Sequence, residues 1–232
     1  MTYLYEGNSS GTEERISGTV YSSAACFNEV NADAGHVIGQ VMDDVLNYQY
    51  DNHPYSIYVM DTMSDCPTLD SEDAECDNNT TTALDEFKSF LNGSPPRYEE
   101  NFNICLTAMS AENNPNNVVG CGDVGGSYPA CVAERGPAIA KQGIKTYYDV
   151  GDGQHGVHTS VHEIGHNFGI THNAGERYLR DVDGDGFNEE VPTPFAPAEG
   201  EVNNCGYDTA SSDMEVKLKA RYDTCALGED NY

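Results

Sequence analysis

The chain has 232 residues, enough to bury one sizeable core without a second domain. Thirty-nine acidic side chains face eleven basic ones, for a formal net charge of −28, and no Lys or Arg stands between Arg15 and Lys88. Such a surface repels nucleic acid and anionic membranes, and no apolar run is long enough for a spanning helix, so neither is an expected partner and a monomer is expected.

Low lysine, many acids and no tryptophan make the composition similar to that of proteins from halophilic organisms. The alternative is an acidic but otherwise ordinary secreted enzyme that binds calcium. The first seven residues have no basic start and no apolar stretch, so they do not read as a signal peptide. That leaves a cytosolic protein or a mature fragment with an added start methionine. Eight cysteines, at 26, 66, 76, 105, 121, 131, 205 and 225, with no C-x-x-C pair, favour the second reading, because an even, dispersed set points to disulfides and an exported protein. Local closure favours Cys66–Cys76, Cys121–Cys131 and Cys205–Cys225, leaving Cys26–Cys105; eight thiols are the alternative. The N-x-[ST] sites at Asn8, Asn78, Asn79 and Asn92 are consistent with export.

Residues 1–30 are polar and Gly/Ser-rich and read as a loosely packed opening strand. Over 33–50, Val37, Ile38, Val41, Met42, Val45 and Leu46 recur at offsets of three and four. That predicts an amphipathic helix, capped by Asp33 or Asn31. Residues 55–61 predict a strand with Ile57 and Val59 on one face. Residues 65–79 read as an acidic loop bounded by cysteines. Leu84, Phe87, Lys88 and Leu91 predict a short second helix. Residues 103–109 alternate as a strand does, and 113–126, with Asn-Pro and Gly-Gly, predict a loop. Strands are predicted again over 128–133 and 144–150, and a helix over 152–168.

That last helix carries His162-Glu163-Ile164-Gly165-His166-Asn167-Phe168-Gly169-Ile170-Thr171-His172. The stretch fits H-E-x-x-H-x-x-G-x-x-H without mismatch. Two histidines four apart share a helix face and can bind one zinc ion. Glu163 is placed beside such a metal, where a general base belongs. Gly169 lets the chain leave the helix in a conformation closed to residues with a Cβ, so that His172 can return as third ligand. A fourth position stays open, as in catalytic zinc sites. His158, one turn before His162, reads as a satisfied or solvent-facing histidine, since three ligands suffice; a substitute ligand is the alternative.

The motif resembles the long zinc signature of the metzincin clan of zinc endopeptidases, and its Asn-Phe-Gly is similar to the Asn-Leu-Gly of the adamalysin-type branches. The resemblance implies His162, His166 and His172 as ligands, Glu163 as the base that activates the zinc-bound water, and Gly169 as turn residue. It also implies a cleft-edge strand that pairs with extended substrate, for which 128–133 is the candidate, and a methionine in a tight turn beneath the zinc. Met214 is the only methionine downstream of His172. Its neighbours Asp213 and Glu215 are charged, and Met214, Leu218, Tyr222 and Cys225 also fall at helical spacing, which offers a core role in a final helix instead.

Asp181, Asp183 and Asp185 alternate ahead of Gly186, as the carboxylates of calcium loops do. Pro192 stands where an EF-hand has its glutamate, so Glu189 or Glu190 would substitute; a solvated acidic turn is the alternative. Together these readings predict an α/β (α+β), metzincin-like fold. It is a single catalytic domain over 1–232: a mixed twisted sheet with long helices, and a zinc cleft between a larger N-terminal lobe (1–172) and a small irregular C-terminal lobe (173–232). The expected function is a secreted zinc endopeptidase acting on extended protein or peptide substrates, with structural calcium. The competing class is a non-catalytic surface or adhesion module stabilised by zinc and calcium, and the intact Glu163 argues against it.

Overall fold

Six strands form one mixed sheet in the order β1-β3-β2-β4-β6-β5: β1 Thr2–Gly7, β2 Ile16–Ser22, β3 Tyr55–Met60, β4 Phe102–Leu106, β5 Gly120–Gly122 and β6 Ala130–Ala133. This computed structural model describes residues 2–70, 82–109, 120–123, 129–149, 152–172, 174–195, 216–222 and 226–227. The inner strands β2, β3, β4 and β6 run parallel, and the two edge strands run antiparallel to their neighbours.

Parallel strands need crossovers, and helices supply them. Helix α2 (Asp33–Gln49) returns the chain from β2 to β3, after the short α1 (Ala24–Val30). Helix α3 (Ala83–Asn92) lies between β3 and β4 in sequence, and the short α4 (Gly136–Ile139) leads toward α5 (Asp152–Asn167). Side chains alternate across each strand, so the sheet has two apolar faces. Val20, Ile57, Val59, Ile104 and Cys131 meet α2 and α5 on one. Tyr21, Met60, Cys105, Cys121 and Val132 meet α3 on the other. Beyond α5, β8 (Arg177–Arg180) and β9 (Glu189–Pro192) form a hairpin, and β10 (Lys217–Lys219) pairs with β7 (Tyr147–Asp149).

Several expectations are corrected. Residues 1–30 hold two strands and a helix, with Ile16, Val20 and Tyr21 fully buried. Helix α2 begins without a side-chain cap, because Ala32 occupies the N-cap and Asn31 closes α1 instead, at φ +53°. The described end of the 113–126 loop contains β5, a three-residue strand too short for alternation to reveal. Leu218 lies in β10 rather than in a final helix.

The cysteine pairing differs as well. Cys26, Cys66, Cys105 and Cys131 carry thiols, whereas Cys121 is disulfide-bonded. Cys121 pairs across the ladder with Val132, and Gly122 with Cys131. Cys121 therefore faces α3 and Cys131 faces α5. Cys26 and Cys105 are likewise divided between the two faces. A sheet between two side chains prevents their bridging whatever their distance in sequence. Cys76, Cys205, Cys225 and Met214 lie outside the described residues.

Candidate metal centre and active site

Helix α5 sets His162 and His166 one turn apart, with ring centroids 4.7 Å apart and edge to face. The helix then closes in a Schellman motif: Ile170 N–H donates to Gly165 O at 3.0 Å and Gly169 N–H to His166 O at 2.9 Å. Gly169 adopts φ +89°, which a Cβ disfavours. The turn returns His172 so that its Nε2 lies 3.1 Å from His166 Nε2. One nitrogen from each of the three histidines falls within 4.8 Å of the others.

The outer ring nitrogens fix the tautomers. His166 Nδ1–H donates to Ile170 O at 2.8 Å, and His162 Nδ1–H donates to Pro194 O. A carbonyl only accepts, so each Nε2 keeps its lone pair. Burial pushes His162 down to about 3 and lowers His166, which holds both as the neutral imidazoles a metal takes. Two nitrogens each ~2.0–2.1 Å from a tetrahedral zinc sit roughly 3.3 Å apart, close to the spacing between His166 and His172. His172 is exposed and His166 buried, so the cluster opens to solvent at His172. These residues fit a zinc ion with an open position.

Glu163 is buried and turns toward β5. A Cβ on Gly120 would lie 2.7 Å from Glu163 Cγ and 2.8 Å from its Oε1. One on Gly122 would lie 3.0 Å from Glu163 Oε2 and 2.9 Å from its backbone oxygen. The two glycines share a strand face and leave the volume that Glu163 occupies. Burial pushes the Glu163 carboxyl up to about 8; a cation at the histidines would act the other way. The motif's Asn167 fastens the helix to the strands, since its Nδ2 donates to Asp123 O at 3.2 Å and to Ala130 O at 3.3 Å.

The strand expected to pair with substrate has no free side. Residues 130–133 form β6, hydrogen-bonded to β4 on one side and β5 on the other, so β6 has no unpaired edge. β5 closes the strand order of the described sheet and lies against Glu163. Its glycines carry no hydrophobic signal, but Gly-x-Gly between apolar strands is a trace that close backbone approach leaves in a sequence. His158 reads as it did from spacing: its Nδ1 donates to Lys219 O at 3.0 Å, so it is satisfied away from the other histidines.

Asp181, Asp183 and Asp185 sit in the turn between β8 and β9, and Glu189 joins them with carboxylate oxygens within 4.8 Å of one another. Glu190 instead pairs with Arg177. The turn is wound on itself: Asp181 accepts from Gly184 N–H at 2.6 Å and Gly186 N–H at 3.1 Å, and Glu189 accepts from Val182 N–H at 2.8 Å.

A sequence model of reprolysin type, described as metallo-peptidase family M12, matches residues 20–200. The match runs from the end of β2 through β9 and includes every residue of the histidine cluster. No curated protein matches the chain.

Proposed function

This chain belongs to metallo-peptidase family M12, and from that premise we propose that it is a zinc-dependent endopeptidase cutting extended protein or peptide substrates. The observation that carries this reading is the convergence of His162, His166 and His172 on one point, with Glu163 beside them and packed against β5. Extended substrate backbone lies in the cleft beside Glu163, where main-chain hydrogen bonds give affinity and side-chain pockets give specificity. Bound among the histidines, zinc supplies Lewis acidity toward a water and toward the scissile carbonyl. Glu163 takes the proton from the attacking water and delivers it to the amine nitrogen as the C–N bond breaks. Asn167 and the two β5 glycines hold Glu163 and β5 in register for both transfers.

Two finer readings accompany it. Calcium at Asp181, Asp183, Asp185 and Glu189 stabilises the β8–β9 hairpin, supported by the convergence of four carboxylates. Export is supported by the disulfide at Cys121, while the thiols at 26, 66, 105 and 131 remove much of the support that the cysteine count supplied. A halophilic source is supported by the net charge of −28.

The mechanism is tested by Glu163→Gln. This variant should keep its zinc, measured by mass spectrometry of the native protein, and lose ~10²–10⁴-fold of its turnover on casein. His172→Ala should lose zinc and turnover together. Wild-type turnover in Glu163→Gln would end the mechanism, and full zinc content in His172→Ala would remove that residue as a ligand.

A further inference from the structure

The ring of Phe195 is buried directly against the metal-ligand histidines, and nothing in the sequence motif accounts for it. It stacks on His162 with centroids 4.3 Å apart and planes 24° apart. It also meets His166 edge-on at 5.1 Å. From below it is backed by Tyr222, centroids 6.1 Å away, whose hydroxyl donates to Val161 O at 2.8 Å. Gly165 leaves the gap into which this pair fits, because a Cβ there would overlap the Phe195 ring and lie 3.0 Å from Tyr222 Cε1.

The backbone around Phe195 is fixed by the strand that follows His172. Gly175 N–H donates to Phe195 O at 2.9 Å, and Thr193 N–H donates to Glu176 O at 3.0 Å. The preceding residue, Pro194, supplies the carbonyl that takes the His162 Nδ1 proton. One short turn therefore does two things to one ligand: it fixes the tautomer of His162 and fixes the plane of its ring. The family match ends at residue 200, so it includes Phe195 and stops short of Met214.

We propose that Phe195 is the platform beneath the metal centre, a positioning residue that holds His162 and His166 in the orientation zinc requires. The resemblance implies a methionine in this place; among the described residues an aromatic ring fills it, and Met214 lies outside them. The inference rests on reading the three histidines as zinc ligands. Its physical basis is that a ligand ring wedged between a backbone acceptor and a packed aromatic face keeps a single rotamer, so the cost of orienting it is met before the ion arrives.

The test uses the whole chain loaded with zinc, and separately with cobalt(II), whose visible spectrum reports ligand geometry. Phe195→Ala and the milder Phe195→Leu should release zinc to a chromophoric chelator ~10–100-fold faster than wild type and shift the cobalt bands. Phe195→Met should restore most of both, and Met214→Leu should match wild type. Far-UV circular dichroism identifies any variant that has unfolded, and Phe195→Leu then carries the comparison. Wild-type release and spectrum in Phe195→Leu, or faster release in Met214→Leu alone, would overturn the platform while leaving the zinc reading intact. A wild-type chain that takes up no zinc would sink both.

Discussion

At the scale of single residues, the site depends on atoms that are missing as much as on those present. Gly122 is the clearest case, since an added Cβ would press on the backbone oxygen of Glu163 at 2.9 Å, which cannot rotate away. Gly122→Ala should therefore push β5 from the helix. Overpacking of this kind costs about 1–3 kcal/mol, and misplacement of the base by an ångström costs ~10²-fold in turnover. The expected result is a folded, zinc-loaded protein with kcat lowered more than stability. A variant with wild-type kcat would mean that the strand and Glu163 are not coupled. His158 gives a second prediction. Burial pushes it from 6.5 down to about 4, so the unfolded chain takes up a proton before the folded one does. Its contribution is complete above about pH 6.5 and is lost as pH falls through about 4. With zinc removed from both proteins, urea midpoints should fall less steeply with acid over that window in His158→Gln than in wild type. Parallel slopes would show that His158 does not titrate as its burial implies.

At the scale of elements, the β8–β9 hairpin is the piece whose stability should depend on an ion. Its turn gathers four carboxylates, and Lys217 Nζ lies 3.6 Å from Asp183 Oδ2 and 2.7 Å from Asp149 Oδ1. Bringing those charges together costs free energy that a divalent cation offsets. Calcium at a hundred times its dissociation constant would add about 2.7 kcal/mol to the folded state. Raising calcium at fixed ionic strength should lift the melting temperature to a plateau, and Asp183→Ala should abolish the rise. A wild type indifferent to millimolar calcium would leave the turn as a solvated acidic loop. The helices make a contrast. Helix α5 and its Schellman end need no ion to form, because Gly169 and backbone hydrogen bonds close it.

At the scale of the whole molecule, charge dominates. A net charge of −28 on 232 residues opposes compaction, and salt sets how far each charge is felt. The Debye length is about 30 Å at 0.01 M and roughly 3 Å at 1 M, so separate acidic surfaces interact across the molecule at the first and hardly at all at the second. Melting temperature should climb with sodium chloride over that range, in Asp183→Ala as in wild type. A flat salt dependence would count against the halophilic reading. Ion pairs such as Arg221 with the exposed Asp44 at 2.6 Å do not reverse the trend, because eleven bases cannot neutralise thirty-nine acids.

The sequence by itself located the three histidines, Glu163 and the helix that holds them. All of that information is local: His162, Glu163 and His166 share one turn of helix, and His172 follows through a turn that Gly169 alone makes possible. Helices α2 and α3 were legible for the same reason, as apolar residues at helical spacing. Only the tertiary structure decided which strand lies against Glu163, which cysteines can meet and what lies beneath the histidines. Each of those is a matter of side. β6 has a strand on each side while β5 closes the described sheet, and Cys121 and Cys131 differ in the face of the sheet they occupy. Phe195 reaches His162 across thirty-three positions because the segment after β9 turns back against α5. No spacing along a chain encodes those relations, since they arise only when the sheet, the helix and the hairpin bury their apolar faces against one another.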